Sequence, residues 1–191
     1  AALISSVLDN STKIAAYTTE CREMGIKLLP PDINGSMADF SVSGENIRFG
    51  LAAIKSAGRG FVSEIIGERE KYGAFKDFED FCRRLNGRDL NRRVAENLIR
   101  AGCFDSLGIS RKALMQVCAL MIDSIQHESR NNIEGQINLF GEPEFADIVE
   151  VRIKIPDVGE FSRRELMSME KETTGLYLSG HPMDEYRAKI R

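Results

Sequence analysis

The sequence contains few of the residues that build metal sites or disulfide frameworks. Only two histidines and four cysteines occur among its 191 residues. The cysteines are widely scattered and form no CxxC pair; they are Cys21, Cys82, Cys103 and Cys118. This spacing argues against a structural zinc site and against a disulfide framework, and it favours a reducing compartment such as the cytoplasm.

Signals for secretion or membrane insertion are also absent. No apolar run approaches the length of a membrane span, and the start of the chain does not have the pattern of a signal peptide. We therefore expect no membrane partner. The chain begins without methionine, at AALISSVLDN, and stops in the charged run DEYRAKIR. These ends are typical of a piece of a longer protein.

Charge is nearly balanced overall but unevenly distributed. The net charge is −3, which by itself indicates neither a nucleic-acid nor a membrane partner. Residues 83–112 nevertheless contain eight basic residues against three acids, whereas residues 134–161 contain seven acids against two basic residues. The sequence therefore joins a basic block to an acidic segment.

Hydrophobic periodicity predicts mostly helices. Residues 1–29 fit a helix, for which Gly25 is a stop signal, and the turn-forming stretch PPDINGS follows. Residues 40–42 and 47–49 alternate around Gly44, which predicts a small β-hairpin. Two short helices joined at SAGRG are expected next, then helices at FKDFEDFCRRL, at NRRVAENLIRAGCF and at ISRKALMQVCALMIDSIQHES. The buried face of the last of these is predicted to contain Ala113, Leu114, Val117, Leu120, Met121, Ile122 and Ile125.

The predicted fold class is therefore mainly α, with small helical domains, the short β-hairpin and an irregular linker. Four segments are expected: residues 1–50, a helical module at 51–130, an acidic linker at 131–162, and a helical segment at 163–191.

The stretch LAAIKSAGRGFVSEII fits a helix-hairpin-helix pattern. Its apolar positions are Leu51, Ile54, Ala57, Val62 and Ile65, and Gly58 lies in the turn. A tight turn at a helix N-terminus exposes backbone N–H groups that can bind a phosphate oxygen, and glycine lets a nucleic-acid backbone approach closely. Lys55 and Arg59 flank the turn and add positive charge. Such contacts carry no sequence specificity.

One feature departs from this pattern. Ser56 occupies the place of the first glycine, so the turn is either weakened or tolerates serine. An ordinary antiparallel helix pair with a glycine cap explains the same residues, and the pattern alone does not separate the two interpretations.

A second candidate hairpin lies at VAENLIRAGCFDSLG. Val94, Leu98 and Ile99 lead to a turn at Gly102, with Arg100 beside it. Only one glycine is present, so the pattern is weaker than the first. The helix between the two hairpins also contains Arg92 and Arg93, and a solvated charged face is as good an explanation of these arginines as contact with DNA.

The stretch IEGQINLFGEPEF contains an apolar pair, Leu139 and Phe140, between glycines and acidic residues. Together with Gln136, and with Ile137 and Asn138 as spacers, it has the form Gln-x-x-Leu-Phe. A flexible peptide of this kind can insert two apolar side chains into a pocket on another protein. A loop packed against its own domain is the alternative.

Several stretches in order resemble the alpha subunit of bacterial DNA polymerase III, the C-family replicative polymerase. They are SVLDNSTKIA, ECREMGIKLLPPDIN, IRFGLAAIKSAGRG, LNRRVAENLIRAGCFDSLG, GQINLFG and KETTGLYLSGHPMDEY. The resemblance covers essentially the whole chain. It implies a segment that runs from the end of the fingers domain through a helix-hairpin-helix module and an internal clamp-binding motif, and that stops before an OB domain.

The resemblance implies two sets of contacts. The clamp contacts are Gln136, Leu139 and Phe140, with Ile137 and Asn138 between them, on the sliding clamp (the beta subunit). The DNA contacts are on the backbone of double-stranded DNA, at Lys55, Ser56, Gly58, Arg59 and Gly60. The two hairpin patterns and the arginine-rich helix add further candidate DNA contacts, which are Ala57, Arg92, Arg93, Arg100 and Gly102. Other replisome subunits are expected as further partners, in the cytoplasm of a bacterium.

The catalytic carboxylates of that family have no counterpart in this chain. Two-metal phosphoryl transfer requires aspartates that hold the ions, and no DxD-like pair on a strand occurs here. We therefore expect no cofactor and no polymerase activity in this chain alone, whereas the full-length enzyme is expected to use magnesium and deoxynucleotides. Two alternatives remain: a helical protein–protein interaction module that binds no DNA, and the equivalent region of an error-prone paralogue.

Overall fold

The first fifty residues form two helices and a small sheet. The computed structural model describes residues 1–6, 11–137 and 153–180. Helix α1 covers Ala2–Ser5 and α2 covers Ser11–Glu23. Gly25 then adopts a left-handed conformation with φ +78°, which ends α2. The expected helix is wrong for the residues beyond it, because Leu28–Leu29 form strand β1.

The sheet contains the predicted hairpin. Strand β2 covers Ser41–Ser43 and β3 covers Asn46–Arg48, with Val42 opposite Ile47. Strand β1 pairs with β3 in parallel, so the strand order is β1-β3-β2. The hairpin prediction is confirmed, but the parallel partner β1 joins the sheet from a segment whose sequence had predicted only helix.

A block of four helices follows the sheet. Helix α3 covers Arg59–Tyr72, α4 covers Phe78–Arg84, α5 covers Arg92–Ala101 and α6 covers Arg111–Ile137. Helix α7 comes after residues 153–162 and covers Arg163–Thr174. The mainly α fold class is confirmed for the residues that the structure describes.

Side-chain caps determine where several helices begin. Asp77 accepts a hydrogen bond from the Asp80 amide at the start of α4, and Asn91 caps α5 in the same way. Helix α7 begins with a reciprocal capping box between Ser162 and Glu165. Hydrogen bonds with the side chain and backbone of Ser162 lower the pKa of the Glu165 carboxyl.

The core is one continuous cluster of apolar side chains. It includes residues of the sheet region such as Ile33 and Phe49, residues of the helical block such as Phe61, and Leu176 after α7. Four phenylalanine rings pack edge-to-face or stacked around the start of α4; they are Phe75, Phe78, Phe81 and Phe104. The predicted division into four segments stays a prediction, although core side chains from three of them pack together.

The expected buried face of α6 is correct at six of its seven positions. Ala113, Leu114, Val117, Met121, Ile122 and Ile125 are all buried, but Leu120 is 63% exposed. Leu120 lies outside the apolar stripe because the helix turns by about 100° per residue, which places it on the solvent side between buried neighbours. None of the helices that the structure describes is long and apolar enough to cross a membrane.

Candidate nucleic-acid interface

The predicted hairpin turn, residues 55–60, lies on the surface. Its apolar flanks are buried as the pattern requires: Leu51, Ile54, Ala57, Val62 and Ile65 all belong to the core. The residues between them, Lys55, Ser56, Gly58, Arg59 and Gly60, are exposed. The first arm of the hairpin differs from the prediction, because it is a 3-10 turn at Leu51–Ala53 rather than an α-helix.

Ser56 explains why the pattern favours glycine at its position. Its φ is +68°, and among the described residues it is the one non-glycine residue with a positive φ. An L-residue in the left-handed region costs about 1 kcal/mol or more. Ser56 therefore adopts the turn conformation of the expected glycine, and the substitution preserves the geometry.

The N-terminus of α3 is open to an approaching ligand. Gly58 is the N-cap residue and provides no side-chain cap, and the first intrahelical hydrogen bond runs from the Val62 amide to the Gly58 carbonyl. A side-chain carbon added at Gly58 or at Gly60 would meet no atom within 4 Å. The first amides of α3 thus lie beside open space, where the backbone of a nucleic acid can come close.

Ala57 contributes to this turn as a packing residue. Its side chain is 5% exposed, and its amide donates to the Ile54 carbonyl at 3.0 Å. The side chain and the N–H group of Ala57 are therefore both engaged within the chain, and the DNA contact at Ala57 stays a prediction. Burial of Ala57 anchors the turn to the core.

Positive charge surrounds the turn, and part of it is already paired. The Arg59 guanidinium lies 2.8 Å from the Asp39 carboxylate, in a pair that is largely exposed. On α5, Arg92 pairs with Glu96 at 2.9 Å, which raises the pKa of the arginine. Such exposed pairs are worth little, so both arginines can exchange a carboxylate for a phosphate at small cost.

Lys55 and Arg93 are the exposed cations of this region whose side chains have no ion pair within the described part of the chain. Arg100 is different. It pairs with Glu172 of α7 at 3.3 Å, and its Nε is buried without a hydrogen-bond partner among the described residues. Arg93 is therefore better placed than Arg100 to contact DNA.

The second hairpin is closed rather than open. Gly102 has the left-handed conformation that a helix-ending glycine adopts, with φ +86°, but it is buried. A side-chain carbon at Gly102 would collide with the Arg111 guanidinium, and the Asp105 carboxylate would be 2.8 Å away. Gly102 thus makes room for a buried arginine, and the DNA contact expected at this glycine stays a prediction.

Arg111 is the centre of a buried polar network. Its guanidinium donates to Asp105 at 2.7 Å, to the Arg100 carbonyl at 3.0 Å and to Glu170 at 3.2 Å. Burial alone would lower the pKa of Arg111, but its hydrogen bonds and charge contacts with Asp105 and Glu170 raise the pKa overall. The network joins α5, α6 and α7.

The N-terminus of α6 is occupied by a side chain of this chain. The Glu160 carboxylate accepts from the Arg111 amide at 2.7 Å and from the Lys112 amide at 3.2 Å. The same helix end has a second cap, because Ser110 Oγ accepts from the Ala113 amide. These caps satisfy the amides that an open hairpin would offer to a phosphate.

Only the beginning of the Gln-x-x-Leu-Phe motif lies among the described residues. Gln136 and Ile137 form the C-terminal end of α6, so their backbone is helical and not part of a loop as expected. Asn138, Leu139 and Phe140 lie outside the described residues. The motif stays a prediction.

The structure adds residues that no sequence motif marks. Asn97 of α5 donates to the Lys55 carbonyl, Glu160 caps α6, and Glu170 lies buried beneath residues 178–179. All three make a contact over 42 or more residues of separation, Glu170 through Arg111, and no local pattern marks such pairings. One feature of the sequence could have identified Glu170, because it is a charged residue on the apolar side of a helical segment.

A metal ion in a protein is held by several ligand side chains that lie close together. The residues that the structure describes contain no group of three or more His, Cys, Asp or Glu side chains that could hold one. The four cysteines are free thiols, of which Cys82, Cys103 and Cys118 are buried.

Comparison with known proteins identifies relatives of this chain. A family profile described as "Helix-hairpin-helix motif" matches residues 25–114, which include both hairpins. The DNA polymerase III subunit alpha of Mycobacterium leprae (strain TN) is 40% identical over 184 residues, covering 96% of this chain and 16% of that protein. The protein of the same name from Borreliella burgdorferi is 38% identical over 190 residues, covering 100% of this chain and 17% of that protein.

A third relative, the DNA polymerase III subunit alpha of Vibrio cholerae serotype O1, is 38% identical over 195 residues, covering all of this chain and 16% of that protein. The similarity thus extends along the whole sequence, although the chain spans only about a sixth of the length of these relatives. The chain belongs, as a segment of that size, to the family of DNA polymerase III alpha subunits.

Proposed function

We propose that this chain holds duplex DNA by its phosphate backbone within a DNA polymerase III alpha subunit. The observation that carries the proposal is the exposed hairpin turn at residues 55–60. In it, a helix N-terminus without a side-chain cap adjoins two glycines with open space in front of them. Lys55 adds an exposed cation in the turn, and Arg93 adds one on α5, the helix whose Asn97 bonds to the Lys55 carbonyl.

The chemistry of this surface suits a contact that moves along DNA. Backbone amides and cations recognise phosphate oxygens, which are the same at every base pair. Binding of this kind releases counterions and weakens as salt concentration rises. The surface would therefore retain the duplex without selecting a sequence, as a polymerase that advances along DNA requires.

Duplex binding at several salt concentrations tests this proposal. We expect the affinity of a fluorescent duplex to fall linearly on a plot of log K against log[salt]. Lys55→Ala and Arg93→Ala should each weaken binding and reduce the slope by about 1, because each removes one phosphate contact. Lys76→Ala is the matched control, since Lys76 lies beyond the far end of α3, about 20 Å along the helix axis from the turn.

Two outcomes would reject DNA binding at this surface. One is undetectable duplex affinity at low salt. The other is affinity that does not respond to salt, because a helical protein–protein interaction module docking through apolar side chains would behave in that way.

We further propose that residues 136–140 dock on a sliding clamp. Support comes from the form Gln-x-x-Leu-Phe, in which two adjacent apolar side chains follow a glutamine within an acidic segment. Linking a duplex-binding surface to a ring around the same duplex makes rebinding intramolecular and raises effective concentration. Processive synthesis by the whole enzyme would follow, in the bacterial cytoplasm and together with other replisome subunits.

Clamp binding is tested by changing the apolar pair. Leu139→Ala combined with Phe140→Ala should abolish capture of the chain by immobilised clamp, because both anchors are lost. Phe145→Ala, the next large apolar residue in the acidic segment, is the control and should bind normally. Capture that survives the double change would locate the clamp contact elsewhere.

The polymerase reaction is proposed for the whole protein and not for this chain. Magnesium ions and deoxynucleotides would be held by carboxylates of the whole protein, because two-metal phosphoryl transfer requires aspartates and this sequence has no DxD-like pair on a strand. The chain alone should show no primer extension above background. Extension by the purified chain would contradict this.

A further inference from the structure

The backbone on both sides of the Lys55 side chain is held by other helices. The Lys55 amide donates to the Thr173 carbonyl at the C-terminal end of α7, at 2.9 Å. The Lys55 carbonyl accepts from Asn97 Nδ2 of α5, also at 2.9 Å. Two helices distant in sequence thus fix the peptide groups at the start of the hairpin turn.

The residue that follows needs such support. Ser56 lies in the left-handed region at φ +68°, which a residue other than glycine occupies at a cost. Conformations of this kind persist when the surrounding structure imposes them. The hydrogen bond from Asn97 restrains the peptide that joins Lys55 to Ser56, and this is the peptide whose orientation determines the direction of the turn.

Asn97 also links the turn to the cationic helix. It lies four residues after Arg93 on α5, so the two side chains share one face of that helix. Asn97 is half-buried and carries no charge. Its side chain therefore sets the position of the turn relative to Arg93 without adding to the electrostatic attraction of DNA.

We propose that Asn97 is a positioning residue for the phosphate-binding turn. Its amide group holds the Lys55 carbonyl, and with the Thr173 carbonyl on the other side it pre-orders Ser56 and the amides that follow. The inference rests on the proposed DNA binding and adds a residue that no helix-hairpin-helix pattern includes. It also makes α7 part of the support of the turn.

The first test is the duplex affinity of Asn97→Ala. We expect a loss of about fivefold, which corresponds to one net hydrogen bond. The slope of log K against log[salt] should equal that of the unchanged chain, because no phosphate contact is removed. Lys55→Ala should differ by also reducing the slope.

The second test is rescue by glycine. In the double variant Asn97→Ala with Ser56→Gly, the turn conformation no longer carries the cost of a side chain, so most of the lost affinity should return. A direct contact between Asn97 and DNA would not be restored in this way. Asn86→Ala is the matched control: Asn86 is also half-buried and bonds to the Ile125 carbonyl and to Ser129, so its loss should lower stability and leave affinity unchanged.

Amide hydrogen exchange supplies a readout that does not depend on DNA. Asn97→Ala should accelerate exchange at Lys55 and Ala57, whereas exchange at Ile47 in the sheet should stay as it was. Unchanged exchange at Lys55, unchanged duplex affinity, or an affinity loss that Ser56→Gly fails to restore would each overturn the positioning role. Failure of the DNA-binding proposal gives a different result, because the chain without substitutions then shows no salt-dependent binding to the duplex.

Discussion

Ser56 shows how one residue can satisfy a motif that its identity contradicts. The helix-hairpin-helix pattern expects glycine there, and the backbone does adopt a conformation that glycine enters without steric cost. The surrounding hydrogen bonds impose that conformation on serine. Serine in place of glycine therefore lowers the stability of the turn but leaves its backbone conformation unchanged.

Replacing Ser56 by glycine should consequently stabilise the fold. We expect the free energy of unfolding to rise by about 0.5–1 kcal/mol, because relief of the left-handed conformation outweighs the extra entropy of glycine in the unfolded chain. Urea denaturation provides the measurement. The control is Ser63→Gly in the interior of α3, which should lower stability, since glycine is a poor helix former. Equal effects at both positions would contradict the explanation.

Gly50 illustrates a different requirement, close approach of two backbone segments. Its φ is −80°, an ordinary value, but an added side-chain carbon would lie 2.5 Å from the Asp39 carbonyl carbon and 2.6 Å from the Ala38 oxygen. No side-chain rotation can relieve contacts with backbone atoms. Gly50 thus lets the chain that leaves the sheet pass directly against residues 38–40.

Gly50→Ala should therefore destabilise the protein by about 2–3 kcal/mol, as overpacking at a rigid site does. Gly67→Ala makes a matched comparison, because Gly67 lies in α3 with no atom within 4 Å of the added carbon. That change should increase stability by about 0.5–1 kcal/mol through helix propensity. Thermal or urea unfolding of both variants measures the difference, and a mild effect of Gly50→Ala would show that residues 38–40 move aside easily.

At the scale of elements, the two hairpins have similar sequence patterns but differ in exposure: the turn of the first is open to solvent, and that of the second is covered. In the first, the N-terminus of α3 follows an exposed glycine turn. In the second, Gly102 is buried under Arg111, and Glu160 from the segment before α7 covers the start of α6. Arg111 and Glu160 thus close the second hairpin, whereas the bond of Thr173 to the Lys55 amide leaves the glycines of the first turn open.

Helix α7 is attached to the other helices through a buried carboxylate. Glu170 is 1% exposed; one oxygen meets Arg111, and the other accepts from the Leu178 and Ser179 amides at 2.9 Å. Four hydrogen-bonded groups thus converge on a charge that water does not reach, counting the Ser179 hydroxyl. Removing it would leave Arg111 short of a partner and two amides unsatisfied.

Glu170→Ala should thus lower the free energy of unfolding by about 3 kcal/mol or more. Glu172→Ala, two residues away on the same helix, removes the exposed partner of Arg100 and should cost less than about 1 kcal/mol. Urea titrations of the two variants are the comparison. Similar losses would indicate that Asp105 alone satisfies Arg111 and that residues 178–179 are held by other contacts.

At the scale of the whole molecule, burial of thiols in the core makes the stability of the fold depend on pH. Burial raises the pKa of Cys118 to about 12, and it raises the pKa values of Cys82 and Cys103 as well. Thiols in an unfolded chain ionise near about pH 8.5. The folded state therefore keeps its full stabilisation from these thiols below that pH and loses it progressively as pH rises toward 12.

We expect the free energy of unfolding, measured by urea under reducing conditions, to be lower at pH 10 than at pH 7. Cys118→Ala should show a smaller decrease between the two pH values, because one of the thiols that ionise only on unfolding is gone. Parallel pH dependence in the two proteins would show that other groups account for the loss.

Much of this protein could be predicted from local sequence. Amphipathic periods predicted α4, α5 and α6, alternation around Gly44 predicted the hairpin, and the apolar spacing at Leu51, Ile54 and Val62 predicted which side of the turn is buried. These features depend on residues a few positions apart, whose side chains share a face whatever the rest of the chain does.

Tertiary structure decided which of two similar turns is open. Asn97 reaches Lys55 over 42 residues, Glu160 reaches Arg111 over 49, and Arg111 reaches Glu170 over 59. The energy of a buried charge or amide depends on the partner that folding brings to it, and sequence spacing does not reveal that partner. Local sequence thus determined the helices, the hairpins and the family, whereas long-range packing determined that the first turn faces solvent and the second does not.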